Sequence, residues 1–126
     1  MKEYVSVDVE TTGLAPKQDK IIEIGAVRVR NGQIVGSFTS FVNPGRILPA
    51  HITELTGILQ EQVDGAETME SVLPAFLEFA GDLPLMGHRI LFDYGFLKRA
   101  AVNMRLDFER SGVDTLKLSK QFLSEL

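Results

Sequence analysis

Asn31-Gly32 lies between two apolar, β-branched runs at residues 21–30 and 33–42. Both central positions of a two-residue hairpin turn need positive φ, and Asn followed by Gly meets that need at little steric cost. The dipeptide therefore predicts an antiparallel hairpin. A further strand precedes it, because at residues 4–10 valines 5, 7 and 9 alternate with Ser6, Asp8 and Glu10, the period of a pleated strand. Residues 11–20 are polar and contain Gly13 and Pro16, which marks a loop. The chain thus begins with three antiparallel strands in sequence.

After Asn43-Pro44-Gly45 the pattern changes. Residues 50–56 suit a short helix ended by Gly57. Over residues 68–80, Met69, Val72, Leu73, Phe76, Leu77 and Phe79 recur at helical spacing before Gly81. Pro74 interrupts that pattern and predicts either a start near Ser71 or a kink. Residues 83–86 read as a short buried strand, residues 92–104 as a helix, and residues 116–126 as the opening of another. Strands, helices, a strand and helices again make an α/β layer structure with helices covering a sheet.

Composition narrows the function classes. The 126 residues suffice for one domain, expected over 1–126, and 44% hydrophobic with 24% charged residues is a globular balance. Cysteine is absent, which excludes a disulfide framework, a thiol nucleophile and a cysteine zinc site. The formal charge of −4 provides no basic footprint for nucleic acid. No apolar run reaches the ~18–20 residues of a membrane-spanning helix, and Met1-Lys2-Glu3-Tyr4 opens no apolar signal segment. A cytoplasmic protein with no membrane association is expected.

Asp8 and Glu10 are two apart on the first strand, so their side chains share one face of the sheet. The valines on the other face suggest a central strand, where desolvation and repulsion raise the cost of two carboxylates unless a cation lies between them. Hard oxygen donors without cysteine favour Mg²⁺ or Mn²⁺. Two acids that simply end the strand in water would show the same spacing, and spacing alone leaves both readings open. Thr11-Thr12-Gly13 follows, offering amides, hydroxyls and a close backbone approach to an anionic ligand. Asp93 opens an otherwise apolar helix, a position that also suits an ordinary acid complementing the helix dipole.

Asp8-Val9-Glu10-Thr11-Thr12-Gly13-Leu14 resembles the first motif of the DnaQ-like (DEDD) 3′–5′ exonucleases, and Gly87-His88-Arg89-Ile90-Leu91-Phe92-Asp93 resembles their second, with Arg89 where the family often has Asn. Val42-Asn43-Pro44, Leu55-Thr56-Gly57-Ile58 and Val113-Asp114-Thr115 resemble the intervening and following segments in order. The resemblance implies an RNase H-like fold, with a mixed five-stranded sheet flanked by helices. It implies that Asp8, Glu10 and Asp93 are catalytic and hold two Mg²⁺ or Mn²⁺ ions, about 4 Å apart as in two-metal sites generally. One ion would acidify the attacking water and the other stabilise the leaving 3′ oxygen. Glu10, Thr11, Thr12, Gly13, Leu14, His88 and Phe92 would contact substrate, with Leu14 an apolar wedge against the terminal base. The implied substrate is a single-stranded or frayed DNA 3′ end, released as nucleoside monophosphates, in proofreading beside or within a DNA polymerase. Exoribonuclease action and non-catalytic binding of metal and nucleic acid are the alternatives.

The family's last motif, a helix with a His or Tyr general base and a fourth metal-binding Asp, should follow Asp114-Thr115. No histidine follows Asp114. His88 and Asp93 imitate its spacing but belong to the second motif, and His51 falls in the middle helical region. A fragment of a longer exonuclease, lacking its closing helices, is the expectation. Removal of those helices would bare an apolar face, so self-association or modest stability is expected.

Overall fold

The computed structural model describes residues 3–108. Strand β1 (Glu3–Thr11) pairs antiparallel with β2 (Ile21–Arg30), which pairs antiparallel with β3 (Gln33–Phe41). Helices α1 (Ala50–Thr56), α2 (Gln60–Asp64) and α3 (Met69–Ala80) follow, then β4 (Leu85–Met86) and α4 (Ile90–Asn103). The sheet order is β3-β2-β1-β4, with β4 parallel to β1. The result is the expected mixed α/β architecture. The sheet has four strands among the described residues rather than five; the segment at Asp114-Thr115 and the helix at 116–126 lie outside them.

The hairpin turn forms where the dipeptide places it, with φ of 51° at Asn31 and 80° at Gly32. Strand β1 is central, and Val5, Val7 and Val9 on one face are at most 5% exposed. They pack with Val72, Leu73 and Phe76 of α3 and Phe96 and Leu97 of α4. The β1–β2 register shifts between Glu10 and Thr11, so that Glu10 pairs with Glu23 but Thr11 pairs with Ile21. Such a bulge changes which face successive side chains meet. Both Ile21 and Ile22 are buried, the first in the main core and the second with Leu48, Ile52, Ile58 and Val63 beneath α1 and α2.

Helix α3 starts at Met69 and runs through Pro74, with no late start at Ser71. Pro74 is exposed, and its missing N–H leaves the Glu70 carbonyl without a ladder partner; burial of Val72, Leu73, Phe76 and Ala80 outweighs that loss. Helix α1 ends as expected at Gly57, with φ of 77°. Helix α4 begins at Ile90, two residues before the expected start, because Ile90 is itself a core residue.

The β4–α4 junction crosses β1 closely. A Cβ placed on Gly87 would lie 2.6 Å from the Val7 carbonyl oxygen, nearer than a Cβ and a carbonyl oxygen can stand. Gly87→Ala should therefore destabilise the protein by about 1–3 kcal/mol. Gly25→Ala, whose Cβ would meet the Asp8 carbonyl at an ordinary 3.9 Å, should be neutral or slightly stabilising. Urea unfolding of the two variants measures the contrast.

Candidate functional site

Strand β1 carries Asp8 and Glu10 on the face opposite its buried valines. Asp8 is exposed and Glu10 half-buried. Across the ladder Glu10 is paired with Glu23, and Asp8 with Gly25. Paired residues on antiparallel strands share a face, so Glu23 joins the two acids, while Gly25 places no side chain opposite Asp8.

A fourth acid comes from α4. Because Gly87 runs against β1 at Val7, the first turn of α4 lies beside the end of that strand. There the Asp93 amide donates to the Arg89 carbonyl at 2.9 Å, and its side chain is 2% exposed. The Val9 backbone hydrogen-bonds the Asp93 carboxyl, but Oδ2 is buried with no hydrogen-bond partner. Burial first, and then the neighbouring Asp8, push the Asp93 carboxyl from its ordinary 3.8 to about 7, against a downward pull from Arg89 and the Val9 hydrogen bond; Glu10 adds a smaller upward push. Glu10 is raised by burial, by Asp8 and by Glu23, and lowered by Arg89. Glu23 is raised by burial and by Asp8.

A buried carboxylate oxygen without a donor is costly in water-free surroundings. Placed within electrostatic reach of Asp8 and Glu10, it suits a hard divalent cation, for which oxygen ligands are the natural set. Asp8, Glu10 and Asp93 are hard oxygen donors, the class that suits Mg²⁺ or Mn²⁺. Among the described residues no three His, Cys, Asp or Glu side chains stand close enough together to hold a metal ion by themselves. A cavity of about 350 Å³ between the 16–21 segment and α4 includes Pro16, Asp19, Phe96, Arg99 and Met104 but none of these acids. The acid cluster belongs to the strand end, not to that cavity.

The remaining expected site residues are placed unevenly. Thr11 and Thr12 are buried, and their hydroxyls are engaged within the loop. Thr11 Oγ1 donates to the Gly13 carbonyl at 2.6 Å and Thr12 Oγ1 to Asp19 Oδ1 at 3.1 Å, while the Lys20 amide donates to Thr12 Oγ1 at 3.0 Å. The close approach that Gly13 permits is made by Asp19, whose carboxylate would lie within 2.7 Å of a Cβ there. Leu14 projects from this braced loop at 76% exposure. His88 is exposed on the turn before α4, and Phe92 is half-buried against Phe96. Glu23 was not anticipated. A lone acid in the run Ile21-Ile22-Glu23-Ile24 was its signal, but its place beside Glu10 follows from a register that the 12–20 loop sets.

Comparison with known proteins bears on the family and the fold. The family model RNase_T, described as an exonuclease, matches residues 5–126. The PolC-type DNA polymerase III of Clostridium perfringens is 45% identical over 124 residues, and that of Thermotoga maritima 44% identical over 121. The alignments cover 98% and 95% of this chain but 9% of either polymerase; the chain thus spans under a tenth of the length of these relatives. In fold it is similar to E. coli exonuclease I in complex with a dT13 oligonucleotide, with a TM-score of 0.75 at 15% identity over 85% of this chain and 25% of that one. With the family model matched along nearly its whole length, the chain belongs to the RNase_T exonuclease family.

Proposed function

We propose that this domain removes nucleotides from the 3′ end of single-stranded or frayed DNA, releasing nucleoside monophosphates, with two Mg²⁺ or Mn²⁺ ions held by Asp8, Glu10 and Asp93. The observation that carries the reading is Asp93, an acid buried to 2% exposure with an unpartnered oxygen beside Asp8 and Glu10. When bound, divalent ions supply an activated water and neutralise the charge that develops on a phosphodiester as it is displaced.

The chain's own residues do the rest. Asp93 holds its proton up to about pH 7, so a cation bound there would displace that proton. The rigid central strand fixes the spacing of Asp8 and Glu10, and the Thr12–Asp19 brace holds Leu14 out where a terminal base can stack on it. A proofreading role beside a polymerase is supported by the relatives, in which the matching stretch is part of a DNA polymerase III chain. The general base is not assigned to His51 or His88, both of which are exposed.

With Mn²⁺, a 5′-labelled DNA oligonucleotide should shorten as a ladder, and a 3′-labelled one should release its label as a mononucleotide at once. Asp8→Ala and Asp93→Asn should each lower the rate by about 10³-fold, several kcal/mol of charge stabilisation in the transition state. A 2′-hydroxy terminus should be the poorer substrate. Internal cutting, or full activity in Asp8→Ala, would remove this reading.

Stability should also report on the site. The folded state binds the Asp93 proton up to about pH 7 while the unfolded chain loses it near 3.8. Between those values the folded state holds more protons, so stability falls as pH rises. Above about pH 7 the folded state carries Asp93 ionised, and the decline levels off. In chelator, thermal melts from pH 4 to 8 should show a decline that Asp93→Asn flattens and that Mn²⁺ reverses in the wild type.

A further inference from the structure

Arg89 lies immediately before α4 and is exposed. Its Cζ stands 4.1 Å from the centroid of the Phe92 ring, and that ring is in turn packed on Phe96 at 4.9 Å. The guanidinium is near enough to Glu10 and Asp93 to lower the proton affinity of both. Yet it pairs with neither, since the ion pair formed among the described residues is Arg30 with Glu3. An arginine whose role was to neutralise the acids would be expected to bridge to one of them. Arg89 rests on an aromatic face instead, and a ring face engages a guanidinium without consuming its N–H donors.

Arg28 provides the contrast. It too lies over a ring, with Cζ 5.3 Å from the Phe79 centroid, but its guanidinium donates to the Phe79 carbonyl and its Nε is buried. That side chain is turned into the fold, its Nε without a hydrogen-bond partner among the described residues. Arg89 keeps its donors at the surface beside the acid cluster.

We propose that Arg89 is a phosphate-binding residue, with its guanidinium held on the Phe92 ring and donating to a non-bridging oxygen of the substrate strand's backbone. The assignment rests on the nuclease reading and deepens it. A planar fork of donors matches two phosphate oxygens, whereas a lysine at this position would offer a point charge that the ring orients less well. The contact recognises backbone rather than base, so it holds the strand without regard to sequence. It also places a fixed positive charge at the edge of a site that is otherwise acidic, where a polyanion needs one to approach.

The test is binding of a fluorescent oligothymidylate to the whole chain in Ca²⁺, across a range of salt concentrations, for wild type, Arg89→Gln and Arg89→Lys. Arg89→Gln should weaken binding about tenfold at low salt and reduce the slope of log affinity against log salt by about 0.7, the value for one phosphate contact to a single strand. Arg89→Lys should keep the slope but recover part of the affinity. Melting temperatures of the variants should match the wild type, because the side chain is exposed. Equal affinity and equal slope in Arg89→Gln would overturn the assignment while Mn²⁺-dependent hydrolysis by the wild type left the nuclease reading standing. A wild type that bound no oligonucleotide would overturn both.

Discussion

The burial of the Asp93 carboxyl at the end of β1 is the constraint around which this structure is arranged. Apolar packing explains why α4 lies on the sheet, but it does not explain an acid at 2% exposure with an unpartnered oxygen. Each nearby feature either permits that placement or makes it costlier. Gly87 brings the chain against Val7, the Val9 backbone hydrogen-bonds one side of the carboxyl, and Asp8 and Glu10 oppose its ionisation. A fold tolerates local cost of this kind at sites where a ligand relieves it. Negative charge concentrated on one short stretch of strand favours a cation, and a cation held there would offset the charge of a phosphodiester.

The central position of β1 converts this local cost into geometry. Its valines anchor one face in the main core, which holds the other face in register. Asp8 and Glu10 are therefore set by the backbone rather than by flexible loops, and Glu23 is brought beside them by pairing with β2. The bulge after Glu10 ends this regular pattern and sends Ile21 and Ile22 to different clusters. Strand geometry thus stops where the loop over residues 12–20 begins. That loop is braced internally by Thr11, Thr12 and Asp19, so Leu14 is presented from a rigid base.

Much of this was legible in the residues. Asn31-Gly32 specified the hairpin, alternating valines identified the central strand, and the spacing of Asp8 and Glu10 put two carboxylates on one face. What escaped depends on contacts distant in sequence. Helix α2 has five residues, too few for periodicity to show. Asp93 has the sequence signature of an ordinary helix-start acid, and its burial is decided by how closely Gly87 meets β1. The threonine hydroxyls looked available for a ligand because nothing local reveals that Asp19 and Gly13 claim them. Arg89 stood out as a departure from the family's asparagine, but its use of the Phe92 ring required the turn of α4 to be seen.

The most direct test of the account is calorimetric titration of the chain with Mn²⁺ near pH 6.5, in buffers of different ionisation enthalpy, for wild type and Asp93→Asn. A buried carboxyl protonated up to about pH 7 must give up its proton to a cation, so wild-type binding should release on the order of one proton. Asp93→Asn should bind Mn²⁺ more weakly and release less. Binding of equal strength in the two proteins, with no proton released by either, would contradict the claim that Asp93 is buried to hold a metal ion.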